Sequence, residues 1–409
     1  MTMEAVTRTR RGPHVPDAAP SRVRAAIARG LFERTVARLP LRVELGNGRV
    51  ISEGSPGSPV MVIERDAFWR RLGRDGKIGF GEAYMAGDWT ASDLAAVLGV
   101  FAASLTTLIP QPLQRLRRLY EPSLGMRGEN TVDRAVENIV HHYDLSNELF
   151  ALFLDETMTY SCAVFEPGDT LAQAQERKYA RLCAMLDLGG DDHLLEIGTG
   201  WGGLAVHAAR TTGCRVTSVT VSPSQRELAI SRIAAAGVDD RVTVLERDYR
   251  EIDGRFSKIV SVEMFEAVGE AYWPTFFTAC DRLLERGGVM AMQTITMPHR
   301  RFLATRRQFG WIHKYIFPGG LIPSLEAIDA ALAQGSALRV KRHDEIGEHY
   351  VRTLAEWRER FVAQQARVAA LGFTHEFRRM WEFYLAYCEA GFATGAVGDA
   401  QILLSRASR

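Results

Sequence analysis

The chain has 409 residues, of which 46% are hydrophobic and 24% charged, with a formal net charge of +1. Such a composition indicates a globular protein long enough for two domains, and the near-neutral charge argues against a nucleic-acid-binding surface. The five cysteines are odd in number and show no metal-ligand spacing. We therefore expect a reducing, cytoplasmic environment with neither disulfides nor a zinc site.

The N-terminal segment is basic. Residues 1–50 hold ten Arg and no Lys against four acidic residues, and residues 1–20 predict a disordered tail. This charge suits an anionic surface, but solvated, disordered charge explains it equally well. No export signal is evident, and the uncharged stretch 94–114 is broken by polar residues and Pro110. Any membrane contact is therefore expected to be peripheral, at the inner face.

A small mixed α/β domain is predicted over residues 21–120, followed by a linker over 121–134. It begins with an amphipathic helix over 21–39, with Arg opposite the apolar positions Val23, Ala26, Ile27, Leu31, Val36 and Leu39. Strands are predicted at 41–45 and 60–63, between Gly- and Ser-rich turns, and mainly helices over 66–119.

From residue 135 to 409 the pattern alternates helices with short apolar strands, which predicts a doubly wound parallel α/β sheet. The predicted strands are 194–197, 215–219, 242–245, 258–262 and 288–293, and the predicted helices are 171–188, 203–211, 224–236 and 272–285. An Arg-rich stretch at 298–325 interrupts this rhythm and predicts an inserted cap. With Trp311 and Phe317 among its arginines, the cap suits phospholipid headgroups, although a solvated face fits equally.

The Gly-rich stretch 196–203 follows a strand and opens a helix, where glycines let a ligand approach helix amides. By itself it also fits a ligand-free turn or a dinucleotide site. In a dinucleotide site, an acidic residue usually ends the next strand. Here that strand ends within 218–222, a stretch that contains Thr220 and no carboxylate. Thr220 or Gln225 suits a ribose, and Asp248 with Tyr249 suits adenine, although an aspartate in the position of Asp248, taken alone, is more often a helix cap. The Gly-rich turn, the ribose partner and the adenine partner follow one another in this order along the chain, and together they predict an S-adenosylmethionine site.

Several motifs occur in an order that resembles the cyclopropane-fatty-acyl-phospholipid synthase family, which includes the mycolic acid cyclopropane synthases. The motifs lie at 79–84, 142–147, 159–162, 196–203, 219–225, 261–266, 294–295 and 315–320. The resemblance implies a class I methyltransferase Rossmann-like fold and an N-terminal domain associated with lipid substrate, and it suggests a homodimer. It also implies that the donor's methyl carbon is added to a double bond of an unsaturated acyl chain in a membrane phospholipid.

Matching residue by residue, the resemblance assigns two groups of side chains. The cofactor is expected to contact Tyr143, Tyr160, Ser161, Glu196, Gly198, Gly200, Gly202, Thr220, Gln225, Asp248 and Tyr249. Catalytic roles, including a bicarbonate site, are expected for Cys162, Glu266, Gln293, the backbone of Ile295, and Tyr350. Gln293 stands where many members have His, and Ala267 also departs from a usual His. A branch with plant cyclopropane synthases and actinobacterial methyl-branching enzymes is similar at both positions.

These residues also have simpler interpretations. Cys162 is typical of a small buried hydrophobe, Glu266 of a helix cap or ion pair, and Tyr350 of packing. The adjacent His141 and His142 point apart on regular structure, so packing is favoured over metal binding.

The chemistry of an alkene limits the mechanism. Its attack on a sulfonium methyl creates a carbocation, which requires shielding from water and then a base. Loss of a proton from the new methyl closes a cyclopropane ring, and a cyclopropane fatty acyl chain is the expected product. The alternative is that a hydride shifts first, which gives a 10-methylene or methyl-branched chain of the tuberculostearic type. The rival hypotheses are an O- or N-methyltransferase for small molecules and a lipid-binding protein with a vestigial pocket.

Overall fold

A computed structural model describes residues 12–18, 21–104 and 146–406, which form two compact units. The described part of the first unit comprises 12–18, 21–104, 309–316 and 357–394. The second comprises 146–308, 317–356 and 395–406. Residues 309–316 and 357–394 were expected in the methyltransferase domain, whereas they pack into the first unit. The predicted linker and Tyr143 lie outside the described residues, as does most of the predicted tail.

The first unit contains a four-stranded sheet with the order β2-β1-β3-β4 and the helices packed with it. Its elements are α1 (Arg22–Val36), β1 (Arg42–Leu45), β2 (Val50–Ser52), β3 (Val60–Ile63), α2 (Ala67–Asp75), α3 (Lys77–Met85), β4 (Trp89–Ala91) and α4 (Leu94–Ser104). The short strands β2 and β4 were not predicted, because three residues are too few to show alternation.

Aromatic packing explains why two late segments join the first unit. On the helix His375–Ala393, Phe383 lies 4.7 Å from the Trp311 ring and 5.5 Å from the Tyr84 ring, measured between centroids. The carboxylate of Glu82 is fully buried and accepts hydrogen bonds from Lys314 and Tyr315. A buried charge needs such partners, which a scan along the chain cannot show because they are more than 200 residues away.

The second unit is built on a seven-stranded sheet with the order β10-β11-β9-β8-β5-β6-β7. Its strands are β5 (His193–Ile197), β6 (Arg215–Thr220), β7 (Val242–Glu246), β8 (Phe256–Val262), β9 (Leu284–Thr296), β10 (Leu338–Glu345) and β11 (Gly398–Arg406). β5 to β9 pair in parallel, while β11 is antiparallel to both β9 and β10. This sheet confirms the predicted α/β class and all five predicted strands.

The remaining helices of the described residues divide between the two units. Those that begin in the second unit are α5 (Asn147–Ala151), α6 (Leu171–Met185), α7 (Gly203–Thr212), α8 (Pro223–Ala235), α9 (Trp273–Leu283), α10 (His299–Thr305), α12 (Leu325–Gly335) and α13 (Gly347–Ala363). Those of the first unit are α11 (Trp311–Tyr315), α14 (Gln365–Ala370) and α15 (His375–Ala393). Local sequence signals determine where several helices begin. Thr170 and Gln173 form a capping box at the N-terminus of α6, and Ser222 caps α8 just before Pro223. Among residues 12–18, 21–104 and 146–406, no helix has the length and apolar character needed to cross a bilayer.

Two strands of this sheet, β10 and β11, were not predicted from the sequence. β10 is an edge strand of mostly exposed polar residues, so it carries little apolar signal. β11 lies inside the sheet but buries Asp399 and Gln401 among its apolar residues. These polar residues obscure the strand pattern, and both belong to the site described next.

Candidate active site

The Gly-rich turn connects β5 to α7 and forms one wall of a cavity in the second unit. Gly198, Gly200 and Gly202 have φ values of 101°, 52° and 83°, a region in which residues with side chains are strained. Gly203 is required for space, because a Cβ there would lie 2.5 Å from the Tyr179 hydroxyl. The turn therefore brings the backbone close to the cavity and seats α7 directly against α6.

The strand after the turn ends in a short hydrogen-bonded set. Thr220 Oγ1 lies 3.0 Å from Gln225 Oε1 and accepts from the Ser222 amide at 3.1 Å. Both Thr220 and Gln225 line the cavity, at the carboxyl ends of parallel strands where α/β sheets bind ligands. Their hydroxyl and amide groups suit a ribose.

Asp248 follows β7 and also lines the cavity. Its carboxylate accepts two hydrogen bonds from the Arg250 guanidinium, each 2.7 Å long, and one from the Arg250 amide at 2.9 Å. Asp248 thus caps a short 3-10 turn while also facing the cavity. Tyr249 packs edge-on against Phe276, with 5.3 Å between ring centroids, and is mostly buried.

Most of the residues predicted to contact the cofactor line this one cavity. They are Tyr160, Ser161, Glu196, Gly198, Gly200, Thr220, Gln225, Asp248 and Tyr249. Gly202 shapes the turn without being part of the lining, and Tyr143 lies outside the described residues. The sequence therefore predicted the residues that the fold brings together, and their contacts with a cofactor remain predictions.

Buried polar groups support the floor of the turn. The Glu196 carboxylate accepts from the Ser218 hydroxyl, and burial raises the pKa of Glu196 to about 8. Lys178 on α6 is fully buried and donates to Ser161 Oγ at 2.6 Å. Burial lowers the pKa of Lys178 to about 8. Lys178 was missed because a lysine within a charged helical stretch looks solvated.

Three predicted catalytic residues meet at a carboxylate that was not predicted. Glu263 Oε1 accepts from the Cys162 amide at 2.8 Å and from Gln293 Nε2 at 2.9 Å, and Oε2 accepts from the Tyr350 hydroxyl at 2.6 Å. Glu263 also lines the cavity. Its φ of 46° is unusual for a residue with a side chain, and such strained positions cluster at functional sites.

The Cys162 side chain is held by backbone carbonyl groups and by Asp399. Its thiol is fully buried and lies 3.3 Å from the Ala163 carbonyl oxygen and 3.6 Å from that of Ile346. Burial raises the pKa of the thiol, with Asp399 and Glu263 adding to the effect. A neutral buried thiol is a poor nucleophile, so we expect any role of Cys162 to depend on its backbone amide rather than on its thiol.

Glu266 and Ile295 form a second group beside the first. Glu266 Oε1 accepts from the Ile295 amide and from Thr294 Oγ1, the latter at 2.9 Å. Burial raises the pKa of Glu266 to about 8, and the charge of Glu263 adds to the effect. Its other oxygen, Oε2, is buried with no hydrogen-bond partner in the described part of the chain.

Asp399 and Gln401 of β11 complete the cluster. Gln293 Nε2 lies 3.3 Å from Asp399 Oδ2, and Gln401 Nε2 donates to Gln293 Oε1 at 3.1 Å. Burial and the neighbouring Glu263 raise the pKa of Asp399 well above its usual range. Glu263 could have been recognised in the sequence from its place at the end of β8; Asp399 carried no such signal because β11 itself was missed.

The predicted bicarbonate site does not fit this arrangement. The Ile295 amide is bonded to Glu266, while the Cys162 amide and the Tyr350 hydroxyl are bonded to Glu263. Each group that was expected to donate a hydrogen bond to bicarbonate thus already donates one to a carboxylate of this chain. A bound bicarbonate would lie beside the acidic side chains of Glu263 and Glu266, and none of these three donors would be left for it.

The predicted cap contains two short helices, α10 and α11, and its aromatic residues are not all on the surface. Trp311 is buried, with its indole 3.4 Å from Met85 Sδ, and Lys314 is paired with Glu82. Leu303 is exposed, and Arg306 pairs with Glu270 at the surface. The idea that Trp311 meets headgroups is therefore wrong.

Within the described residues, no group of three or more His, Cys, Asp and Glu is arranged to hold a metal.

Comparison with known proteins agrees with the geometry. The family model for mycolic acid cyclopropane synthetase matches residues 130–402. The chain is 47% identical over 403 residues to the tuberculostearic acid methyltransferase of Mycobacterium tuberculosis, covering 96% of this chain and 93% of that one. It is 34% identical over 367 residues to the cyclopropane-fatty-acyl-phospholipid synthase of Escherichia coli, covering 88% and 91%.

Solved structures give the same assignment. The cyclopropane synthase MmaA2 from Mycobacterium tuberculosis aligns with a TM-score of 0.62 and 29% identity, over 66% of this chain and 98% of that one. The mycolic acid cyclopropane synthase CmaA1, in complex with SAH and CTAB, aligns with a TM-score of 0.60 and 31% identity, over 66% and 97%. The chain therefore belongs to the mycolic acid cyclopropane synthetase family of S-adenosylmethionine-dependent methyltransferases.

Proposed function

We propose that this protein methylates the double bond of a monounsaturated acyl chain in a membrane phospholipid. The observation that carries the proposal is that one cavity is lined by both the Gly-rich turn and Glu263. A cofactor pocket and an acid-base group thus share one space. An O- or N-methyltransferase needs no such apolar cation shield, and here Val262, Met264 and Val268 line the same wall.

S-adenosylmethionine supplies an electrophilic methyl group on a positively charged sulfur. The residues of this chain provide the rest: Thr220, Gln225 and Asp248 hold the nucleoside, and the apolar wall excludes water from the cation left on the acyl chain. A base in the cavity then takes a proton from the new methyl group. The broken C–H bond leaves its electron pair to the new carbon–carbon bond, so the net products are the alkylated chain, S-adenosylhomocysteine and one proton.

We propose a methylene-branched chain of the tuberculostearic type as the product. The similarity over nearly the whole length to a tuberculostearic acid methyltransferase supports this choice. In this case a hydride moves to the cationic carbon before the methyl group loses its proton. A cyclopropane ring remains the second candidate, supported by the family model and the Escherichia coli relative.

The test is incubation with a trideuteromethyl donor and oleoyl phospholipid vesicles, followed by mass spectrometry and NMR of the fatty esters. We expect one added carbon carrying two deuterons, with olefinic rather than ring signals. Cyclopropane ring signals in the NMR spectrum would instead favour the cyclopropane as the product. Esters without deuterium, together with methylation of a small polar acceptor, would refute the proposed substrate class.

We also propose that the enzyme works at the cytoplasmic membrane surface and that α1 makes the contact. Val23, Ile27 and Leu31 are exposed to 70%, 58% and 56%, and their spacing of four places them on one face of α1. Exposed arginines flank this face, at Arg22, Arg24, Arg34 and Arg38. Exposed apolar residues beside arginines are typical of helices that lie on anionic bilayers.

Co-sedimentation with phosphatidylglycerol vesicles tests this contact. Replacing Val23, Ile27 and Leu31 together by Ser should weaken binding by about tenfold or more, since each buried side chain contributes roughly 1 kcal/mol or more. Ile230→Ser is the matched control, because Ile230 is also exposed but lies on α8. Equal binding of the triple variant and the wild type would refute the role of α1.

A further inference from the structure

We infer that Glu263 is the base that removes the proton from the methylated acyl chain, and that this enzyme needs no bicarbonate. The inference rests on the proposed function, because it names the group that completes the reaction. The sequence analysis assigned no role to Glu263.

The first argument is the position of the carboxylate. Glu263 directly follows β8, at the carboxyl ends of the parallel strands, and lines the same cavity as Gly198 and Gly200. A base has to lie within hydrogen-bond reach of the proton it takes. By contrast, the carboxyl group of Glu266 is not part of the cavity lining and is engaged by the backbone of Ile295.

The second argument is the way the carboxylate is held. Three donors fix it: the Cys162 amide, Gln293 Nε2 and the Tyr350 hydroxyl, at 2.8, 2.9 and 2.6 Å. Donors to a carboxylate favour its charged form, and fixing its direction prepares it for a reaction that creates positive charge nearby. The strained backbone at Glu263 shows that the surrounding fold enforces this position.

The third argument is the state of the neighbouring acids. The pKa of Glu266 is raised to about 8 and that of Asp399 well above its usual range, mainly by burial. Burial therefore disfavours the charged forms of both neighbouring acids. Glu263 is the carboxylate of this group that receives three hydrogen bonds from the Cys162 amide, Gln293 and Tyr350.

The proton step balances without another reactant. The C–H bond of the new methyl group breaks, its electron pair forms the C–C bond of a ring or the C=C bond of a methylene group, and the proton passes to the Glu263 carboxylate. When the product leaves, the neutral side chain returns the proton to water. Bicarbonate would do the same work, but its donors are already taken by Glu263 and Glu266.

The first test uses the wild-type protein, with turnover on oleoyl phospholipid vesicles measured in carbon dioxide-free buffer and in the same buffer with bicarbonate added. We expect the two rates to agree within about twofold. A loss of about tenfold or more without bicarbonate would overturn the inference. If the wild type modified no lipid in either buffer, the proposed function would fail, and the binding test below would still decide the inference.

The second test uses three variants. Glu263→Gln keeps the size of the side chain and should lower turnover by about 100-fold or more, the usual contribution of a positioned base. Its isotope effect with the trideuteromethyl donor should also rise, because proton removal becomes the slow step. Glu227→Gln is the matched control on exposed α8 surface and should behave as the wild type.

Glu263→Gly removes the carboxylate, and glycine readily adopts the φ of 46° found at this position. Bicarbonate, but not chloride, should restore its turnover by about tenfold or more. In calorimetry of the S-adenosylhomocysteine-loaded proteins, bicarbonate should bind to this variant and not to the wild type. Bicarbonate binding to the wild type, or an unchanged isotope effect in Glu263→Gln, would overturn the inference.

Discussion

The close contact at Gly203 allows a quantitative test of how the cofactor cavity is built. A Cβ at this position would lie 2.5 Å from the Tyr179 hydroxyl and 3.1 Å from the Thr157 carbonyl oxygen. To reach van der Waals distance, the hydroxyl has to retreat by roughly 1 Å. That movement disrupts its hydrogen bond to Thr159, which lines the cavity together with Tyr179.

The expected size of the effect follows from these contacts. Overpacking costs about 1–3 kcal/mol and the lost hydrogen bond about 0.5–1.5 kcal/mol, so Gly203→Ala should lower the free energy of unfolding by about 2–4 kcal/mol. Tyr179→Phe removes the hydroxyl that the new Cβ would meet. In that background Gly203→Ala should cost only about 1 kcal/mol, because the Thr157 contact alone remains.

A double-mutant cycle measures this coupling. Unfolding in urea and the affinity for S-adenosylhomocysteine by calorimetry are measured for the wild type, both single variants and the double variant. We expect a coupling energy of about 1–2 kcal/mol in stability. We also expect weaker binding for Gly203→Ala, by about tenfold, that Tyr179→Phe partly restores. Effects that add within about 0.3 kcal/mol would refute the idea that Gly203 is required for space against Tyr179.

Three further predictions concern other parts of the site. Because Glu196 has a folded-state pKa of about 8 against 4.5 in the unfolded chain, its stabilising effect is complete below pH 4.5 and is lost as the pH rises toward 8. Glu196→Gln should flatten that decline in urea unfolding, and an unchanged slope would contradict the assignment. Cys162→Ala should lower turnover by no more than about threefold, since the backbone amide remains; a loss near that of Glu263→Gln would give the thiol a direct role. Asp248→Ala should weaken S-adenosylhomocysteine binding by about tenfold through loss of a charged acceptor, with turnover at saturating cofactor nearly unchanged; lower turnover with unchanged affinity would contradict its place at the nucleoside.

Local chemistry made much of the second unit predictable. β5 to β9 are runs of apolar residues bounded by turns, and Ser222-Pro223 marks the start of α8 in the sequence itself. Much of the cofactor wall was predictable for the same reason, because Gly198, Thr220 and Asp248 lie at or just after the carboxyl ends of strands. Parallel strands bring those positions to one edge of the sheet, whatever their separation along the chain.

The parts that could not be predicted depend on contacts across long stretches of chain. Asp399 and Gln293 are 106 residues apart and meet only because β11 pairs with β9. Trp311 looked like a surface aromatic beside arginines but is buried against Phe383. In each case a polar or aromatic side chain is placed by a partner that no local pattern identifies.

Gln293 and Glu263 are best understood as one arrangement. A histidine at 293 could carry positive charge, whereas an amide cannot. The amide of Gln293 instead donates through Nε2 to Glu263 and accepts through Oε1 from Gln401, which fixes its orientation. Burial raises the pKa of Glu266 and of Asp399, which disfavours their charged forms, and the buried Lys178 already provides a cation that interacts with Glu263. Gln293→His would add a second basic group to this buried cluster. It should reduce stability at a pH below the histidine's own pKa, where the ring must be charged in the unfolded chain but is penalised by burial in the folded one. Urea unfolding of Gln293→His between pH 5 and 8, roughly the range in which histidine titrates, measures this effect. An equal free energy of unfolding at pH 5 and at pH 8 would show that the cluster accepts a second cation and that positions 263 and 293 are independent.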